Sequence, residues 1–385
     1  MNLLVVSHKE TWLDPASPSG YSTVGGFPFQ MEYISSLFDR TSIMVPIQKT
    51  EMPSGARHLI GHYLSIIPLV EPSGKGFLRK VCFLFWFLRH LPLLWRKIGQ
   101  ADAVHTPVGG DIGTVGLLIA LIQKKPLFVR HCGTWGMPIS FVDRLLQRFL
   151  EMIAGGRNVV LATGGGDQPP SKRNVSITWI FATSLTREQL SSMEKTKQWN
   201  GFGPMKLVTV GRLSSGKNME AIINALPVVI ENYPEATLDV IGDGELMERL
   251  KQLVYNLSLD GMVIFHGNIP HKEVLKILSN SHIFVFPTFR EGFPKSLLEA
   301  MACGLPLVAT RTSVIPSLIS DCGYIMDYPS PEEVSNGVLT LSSDPAQWLK
   351  FSTIAHQKSL EYSLENWRDM IGQKLESAWG KLSNQ

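Results

Sequence analysis

The chain alternates short apolar runs with longer amphipathic segments. Short apolar runs are typical of buried parallel strands, and the segments between them have the periodicity of helices. In the first half the predicted strands are 3–7, 42–46, 64–69, 103–106 and 127–131, with two more between 158 and 181. In the second half they are 206–210, 237–242, 262–266, 282–287 and 305–310. This alternation predicts an α/β fold with parallel sheets.

The stretch 286–310 contains the most informative pattern of the chain. A strand is followed by a loop, by a helix predicted over 295–302 that ends at Gly304, and by a second strand. Loops in this position lie at the carboxyl end of a parallel sheet, where such sheets bind ligands. Glu291 lies in the loop and Glu299 lies about one and a half turns into the helix, whose first amides attract anions. A molecule with hydroxyls, then phosphates, then hydroxyls suits this layout, and a nucleotide-sugar has it.

Size and composition restrict the class of protein. A chain of 385 residues suits two domains, and 44% hydrophobic with 18% charged residues is typical of a globular protein. A formal net charge of +3 gives no indication of nucleic-acid binding. We expect no signal peptide at the N-terminus, and no apolar run reaches the length of about 18 residues that is needed to span a bilayer. The cysteines have no metal-ligand spacing, so we expect buried free thiols in a reducing compartment, at Cys82, Cys132, Cys303 and Cys322.

The segment 75–97 is aromatic and basic, and no acidic residue occurs between Glu71 and Asp102. Its cations are Lys75, Arg79, Lys80, Arg89, Arg96 and Lys97, and its aromatic residues are Phe77, Phe83, Phe85, Trp86, Phe87 and Trp95. Such a stretch is typical of an interfacial helix on an anionic membrane. A domain helix with an apolar core side and solvated cations explains it equally, and the sequence leaves both open.

Two features of the first half are candidates for ligand contact. Gly25 and Gly26 precede a helix predicted over 27–38, and paired glycines let a ligand approach the backbone, although a flexible turn is the alternative. His131 ends an apolar strand, which places it at the carboxyl end of the sheet. A lone histidine is usually structural, but its position favours contact with a ligand.

The run from Glu291 to Pro294, followed by the run from Glu299 to Pro306, resembles the E-x7-E motif of retaining glycosyltransferases of the group 1, family 4-like type. The resemblance implies two Rossmann-like domains that face each other across a cleft (the GT-B fold). It implies transfer of a sugar from a nucleoside diphosphate sugar to a lipid-linked or polysaccharide acceptor in cell-surface glycan biosynthesis. The sequence leaves open whether the base is uridine, guanosine or adenosine. The nucleotide-sugar is a substrate, and no cofactor or metal is implied because the D-x-D motif is absent.

The resemblance also assigns roles to residues. Glu299 binds the ribose hydroxyls, and Glu291 binds the sugar hydroxyls. Arg212 and Lys217, after the strand 206–210, hold the leaving diphosphate, whose growing negative charge needs fixed cations. Catalytic roles fall on His131, near the transferred sugar, and on Glu291, Arg212 and Lys217. The other donor-binding residues are Gly25, Gly26, Gly211, Gly242, Gly244, Asn268, Gly292, Phe293, Lys295 and Ser296.

Three positions depart from the family pattern. Residues 181–184 replace an Asn-Gly-Val-Asp element, and Ser317 stands where many relatives have glutamate. Pro294 offers no amide hydrogen in the donor loop.

The expected domains are an acceptor-binding domain over 1–185, a linker over 186–205, and a donor-binding domain over 206–350. Helices follow over 351–385, the last of which crosses back to the first domain. Two other classes remain open: a nucleotide-sugar epimerase or hydrolase on the same scaffold, and a non-catalytic binding module that kept the fold.

Overall fold

The computed structural model describes residues 1–53, 55–74, 76–138, 140–166, 168–193 and 198–383, without the side chains of 76–78. The chain divides into two compact units. The first contains Met1–Ser184 and Leu364–Gln385, and the second contains Leu185–Ser363.

The described strands and helices alternate as the apolar pattern predicts. The strands are β1 (Asn2–Val6), β2 (Thr11–Leu13), β3 (Tyr21–Thr23), β4 (Arg40–Ile47), β5 (Arg57–His58), β6 (Leu64–Val70), β7 (Ala103–Val108), β8 (Leu127–His131), β9 (Asn158–Thr163), β10 (Thr178–Ile180), β11 (Lys206–Val210), β12 (Thr237–Ile241), β13 (Val263–Gly267), β14 (Ile283–Phe286), β15 (Leu307–Thr310) and β16 (Gly323–Met326). The helices are α1 (Phe27–Ser35), α2 (Gly76–Gln100), α3 (Asp111–Ile122), α4 (Phe141–Ile153), α5 (Arg187–Ser192), α6 (Met219–Asn232), α7 (Met247–Asn256), α8 (His271–Ser279), α9 (Lys295–Ala302), α10 (Ile315–Ile319), α11 (Pro331–Ser342), α12 (Pro345–Ser359) and α13 (Leu364–Trp379). Among the residues that the structure describes, no helix is long and apolar enough to span a bilayer.

The first unit is built on one sheet with the strand order β10-β9-β8-β7-β1-β4-β2-β3-β5, and β6 also pairs with β4. The strands predicted from apolar runs pair in parallel, as expected. The segment after β1 contains the antiparallel pair β2 and β3, which the apolar pattern did not predict. Trp12 and Ser22 are buried there, and Ser22 Oγ donates a hydrogen bond of 2.5 Å to the carboxylate of Asp14.

Helix α2 contributes to the core and also exposes apolar side chains. Trp86, Leu94 and Ile98 are buried against the sheet. The exposed apolar residues of the same helix are Val81, Leu84, Phe85, Leu88 and Trp95. Arg79, one of the cations of this segment, is only partly solvated, because its guanidinium forms ion pairs with Glu71 and Asp111. Lys75 and the side chain of Phe77 lie outside the described residues.

Other boundaries also differ from the predictions. Helix α1 ends at Ser35, whereas the apolar pattern predicted a helix as far as residue 38. The stretch 186–205 was expected to be a linker, but α5 lies within it as part of the second unit. Helix α12 also belongs to the second unit, whereas α13 belongs to the first. Trp367 of α13 is buried, and Trp379 donates its indole N–H to the carbonyl of Arg157.

The second unit has a six-stranded sheet in the order β13-β12-β11-β14-β15-β16, whose strands pair in parallel. An isolated antiparallel bridge joins Gly242 and Gly267. The predicted strand–loop–helix–strand unit is confirmed as β14, α9 and β15. Gly304 ends the helix region with a φ of +72°, a left-handed conformation that glycine adopts without strain. The loop that carries Glu291 therefore lies at the carboxyl end of this sheet.

Two helix glycines of the first unit differ in the space available for a side chain. A Cβ atom at Gly113 of α3 would lie 2.6 Å from the backbone oxygen of Pro107, whereas at Gly99 of α2 it would lie 3.3 Å from the flexible amide of Gln123. Alanine is a better helix former than glycine by about 1 kcal/mol. Gly113 is therefore retained because it permits close packing of α3 on β7.

We expect Gly113→Ala to destabilise the protein by about 1–2 kcal/mol net, because overpacking against backbone outweighs the gain in helix propensity. The thermal midpoint should fall by about 2–8 °C. The matched variant Gly99→Ala should melt at or slightly above the wild-type temperature. A Gly113→Ala protein that melts no lower than wild type would contradict this account of the packing.

Candidate active site

The strand order of the second unit reverses between β11 and β14. From β11 the chain continues through β12 to β13 on one side, and from β14 it continues through β15 to β16 on the other. β11 and β14 pair in parallel, with Leu207 opposite Ile283 and Val208 opposite Phe284. The loops that follow these two strands therefore leave the sheet side by side. In open α/β sheets, the crevice at such a reversal is where ligands bind.

Hydrogen bonds tie the loop after β14 to the turn after β11. Thr288 Oγ1 and the amide of Phe289 both donate to the carbonyl of Gly216, at 3.1 and 3.0 Å. Next to them, the ammonium of Lys217 forms an ion pair with the carboxylate of Glu291. The structure thus brings together two predicted site residues that are 74 positions apart in sequence.

The Lys217–Glu291 pair lies in a sheltered environment. The side chains are 22% and 16% exposed, respectively. The ammonium of Lys217 also lies 4.9 Å from the centre of the Phe286 ring, within range of a cation–π interaction. Lys217 is therefore held by an anion and by an aromatic face at the carboxyl end of β14.

Glu299 lies on the buried side of α9. Its side chain is 10% exposed, and one carboxylate oxygen is 3.0 Å from Nε2 of His271. A carboxylate can only accept, so His271 donates through Nε2. Sequence reasoning missed His271. The available signal was a histidine at the start of a helix that follows a strand and turn, but its proximity to Glu299 depends on the packing of α8 against α9.

The remaining residues of the predicted donor loop lie around the start of α9. The carbonyl of Gly292 accepts a hydrogen bond of 3.0 Å from Ser313 Oγ, and Phe293 is buried. Lys295 and Ser296 are half-buried in the first turn of α9. A further loop, which follows β15 and carries Ser313, therefore also contacts this region.

Ser317, at the position where many relatives have glutamate, has a local role in the structure. It lies in α10, and its hydroxyl donates to the carbonyl of Val314 at 2.8 Å.

The predicted glycines are packed against the backbone of neighbouring turns. Gly242 has a φ of +130°, and a Cβ atom there would lie 2.0 Å from the carbonyl oxygen of Gly211. A Cβ atom at Gly244 would lie 2.4 Å from the carbonyl oxygen of Leu213. Glycine at these positions is therefore required by the close approach of the turns after β11 and β12, independently of any ligand.

The other predicted residues of this unit are solvent-facing. Arg212 is exposed at the turn after β11, and Asn268 is exposed at the turn after β13.

The first unit contains the remaining candidates. His131 ends β8 and is 6% exposed, with its ring edge-on to Trp135 at 5.1 Å. Burial lowers the pKa of His131 below its ordinary value, so the neutral imidazole is favoured. Gly25 has a φ of +77°, and Gly26 is the residue before α1. These residues belong to a different unit from Lys217, Glu291 and Glu299.

No group of three or more histidine, cysteine or acidic side chains with metal-binding geometry occurs in the part of the chain that the structure describes. The charges concentrated at the reversal point are those of Lys217, Glu291 and Glu299. This arrangement can hold an anion beside a lysine and can accept hydrogen bonds from hydroxyl groups at two carboxylates.

Residues 193–358 match the protein family described as glycosyl transferases group 1. The match covers most of the second unit, including Lys217, Glu291, Glu299 and His271.

Curated glycosyltransferases are similar to this chain over part of their length. A component of the phosphatidylinositol N-acetylglucosaminyltransferase of Arabidopsis thaliana is 30% identical over 54% of this chain and 49% of its own length. Alpha-monoglucosyldiacylglycerol synthase from Streptococcus pneumoniae is 25% identical over 62% of this chain and 58% of its own. The chain spans about half the length of these curated relatives.

Solved structures resemble nearly the whole chain. The Anabaena protein HepE, crystallised with UDP and glucose, superposes with a TM-score of 0.70 over 98% of this chain and 99% of that one, at 16% identity. The likeness establishes the fold, which is the GT-B type with two Rossmann-like units.

The four cysteines differ in exposure, so the expectation of buried thiols is confirmed for Cys303 and Cys322 but is wrong for Cys132. This difference predicts their reactivity. Burial raises the pKa of Cys303, just after α9, to about 11, and that of Cys322 to about 12. Cys132 is exposed and Cys82 is half-buried. Since the thiolate is the reactive form, we expect a disulfide reagent at pH 8 to modify Cys132 fastest and to leave Cys303 and Cys322 unmodified in the folded protein.

The reaction is followed over time by the thiol that the disulfide reagent releases, and the modified cysteines are identified by mass spectrometry. Cys132→Ser should remove the fast phase, and denaturation should expose the buried thiols. Rapid labelling of Cys303 in native protein would contradict the burial of α9 as described.

Proposed function

We propose that this chain is a retaining, metal-independent glycosyltransferase, because residues 193–358 match the family described as glycosyl transferases group 1. It transfers a sugar from a nucleoside diphosphate sugar to a glycan or lipid-linked acceptor. The observation that carries the proposal is the reversal point between β11 and β14, where Lys217 and Glu291 meet beside the helix that holds Glu299.

Each residue has a role that its chemistry supports. Glu299 accepts hydrogen bonds from ribose hydroxyls. Lys217 and Arg212 stabilise the diphosphate as negative charge develops on the leaving group. Glu291 accepts hydrogen bonds from hydroxyls of the transferred sugar. Two cations in this position supply the charge that a divalent metal supplies in other transferases.

The pairing of Lys217 with Glu291 is compatible with these roles. A lysine ammonium carries three N–H donors, so it can keep one bond to Glu291 and give the others to phosphate oxygens. The carboxylate lowers the cost of holding a half-buried ammonium before the donor arrives. We infer that the pair positions Lys217 for the diphosphate and positions Glu291 for the sugar next to it.

His131 is proposed to contact the transferred sugar as a neutral imidazole, which can both donate and accept a hydrogen bond. Its lowered pKa supports this state near pH 7.

Donor binding tests the proposal. We expect one of UDP, GDP and ADP, or its glucose or mannose form, to raise the thermal midpoint, and UDP is the first choice because HepE was crystallised with it. A ligand at 100 times its Kd adds about 2.7 kcal/mol of stability. The shift should persist in EDTA and should disappear in Glu299→Ala, but not in the control Glu248→Ala, whose side chain is 86% exposed.

Binding followed by transfer with net retention, seen by NMR at the anomeric carbon, would support the full proposal. Binding without transfer to any acceptor would favour the non-catalytic module. If wild type binds none of these nucleotides, the proposal fails.

We also propose that the first unit docks on the cytoplasmic face of an anionic membrane through α2. Phe85, Leu84 and Leu88 of this helix are 69%, 58% and 57% exposed. Leu118 and Ile122 of α3 add to the exposed apolar area, and an apolar groove of about 560 Å³ lies between the two helices. An exposed apolar strip flanked by cations fits the boundary between lipid headgroups and acyl chains.

The charges of α2 support an anionic partner. Lys80 and Arg89 are exposed, and neither forms an ion pair within the described residues. Cations near an anionic bilayer contribute about 1 kcal/mol each. A lipid-linked acceptor would then be reached at the membrane surface.

We expect the double variant Lys80→Glu, Arg89→Glu to bind phosphatidylglycerol vesicles about 30-fold more weakly than wild type, because two favourable charges are lost. Arg79 is left unchanged because its ion pairs are structural. The control Lys350→Glu, Lys374→Glu makes the same change of net charge at exposed positions outside α2. Vesicle sedimentation is the measurement, and equal effects of the two double variants would exclude α2 as the docking element.

A further inference from the structure

The carboxylate of Glu299 is held by a histidine from another helix. His271 is the first residue of α8, and its Nε2 lies 3.0 Å from Glu299 Oε1. The side chains are 27% and 10% exposed, so the contact is largely screened from water. Since the acceptor is a carboxylate, Nε2 carries a proton whether the imidazole is neutral or charged.

Such a contact restricts the orientation of Glu299. A glutamate has several rotatable bonds, and ordering its side chain on ligand binding costs free energy. A buried carboxylate also needs hydrogen-bond partners to offset lost hydration. His271 supplies one partner at one oxygen and thereby selects a rotamer before any ligand is present. Preorganised groups of this kind increase affinity and discrimination.

The position of His271 in the fold supports this role. Helix α8 follows β13 and α9 follows β14, so both helices begin at the carboxyl end of the sheet. His271 reaches Glu299, to which the proposed function assigns the ribose, from the helix that follows β13. The histidine side chain remains partly open to solvent, so it lies at the margin of the crevice rather than in the core.

We propose that His271 is a positioning residue for ribose recognition. It holds Glu299 in the orientation that accepts a hydrogen bond from a ribose hydroxyl, and it thereby favours ribonucleotides over deoxyribonucleotides. This inference rests on the proposed function, since it assumes that a nucleoside diphosphate binds at Glu299. The proposal rests on the contact between His271 and Glu299, which the sequence alone does not predict.

Calorimetric titration with UDP, 2′-deoxy-UDP and 3′-deoxy-UDP tests the proposal. His271→Phe keeps a planar ring but removes the donor, and we expect it to weaken UDP binding about tenfold. The deoxy analogue that lacks the hydroxyl bound by Glu299 should bind His271→Phe and wild type within about twofold of each other, because the contact is already missing. His271→Gln, which keeps an N–H donor, should retain most of the UDP affinity.

A second histidine–carboxylate pair provides the matched control. His266 Nε2 lies 2.6 Å from Asp239 Oδ1 in the same unit, on β13 and β12. His266→Phe should leave the preference for UDP over its deoxy analogues unchanged. In a Glu299→Ala background, His271→Phe should cause no additional loss of UDP affinity.

The outcomes separate this inference from the proposed function. If wild type binds UDP but His271→Phe weakens UDP and both deoxy analogues equally, or weakens none, His271 has no role in positioning Glu299 for ribose. If wild type prefers GDP or ADP, the titrations are repeated with that nucleotide and its 2′-deoxy and 3′-deoxy analogues, and the same criteria apply. If wild type binds none of the three nucleotides, the proposed function fails and the inference fails with it.

Discussion

The parallel pairing of β11 with β14 is the constraint on which the candidate site depends. The two strands are separated in sequence by two further strands and three helices, yet they lie next to each other at the centre of the sheet. Their neighbours continue in opposite directions, and such a reversal leaves a crevice beyond the carboxyl ends of the two strands. The loop that carries Glu291 and the turn that carries Lys217 meet there. The hydrogen bonds to the carbonyl of Gly216 then fix their separation.

The two glutamates of the motif have different surroundings, which suits the different roles proposed for them. Glu291 lies on a loop and is neutralised by a lysine that also contacts an aromatic ring. Glu299 lies on the buried side of a helix, and it is bonded to a histidine from the neighbouring helix. An ion pair at the reversal point is adapted to the charge of a diphosphate. A buried carboxylate oriented by a hydrogen bond is adapted to the geometry of a diol.

In the first unit, the two sides of one helix also have different surroundings. Helix α2 buries Trp86 and Leu94 against the sheet and exposes Leu84 and Phe85. The segment is apolar around most of its circumference, so composition alone supported a core helix and an interfacial helix equally. The structure shows which apolar side chains of α2 are buried in the core and which remain exposed. The remaining exposed apolar area, together with cations that lack ion pairs in the described structure, is what leads to the membrane proposal.

The amino-acid sequence was enough to predict the α/β class, the order of the main strands along the chain, the helix 295–302 and the glutamates of the motif around it. These follow from short-range periodicity, from glycine at helix ends and from the spacing of one motif, all of which are local properties. It missed β2 and β3, where polar residues such as Ser22 are buried through hydrogen bonds and apolar periodicity gives no signal. The three-dimensional fold was needed to show that Lys217 pairs with Glu291, that His271 holds Glu299, and that Arg79 is already paired. The physical reason is that these contacts join residues on different elements, and their proximity is set by strand order and helix packing rather than by the neighbouring sequence.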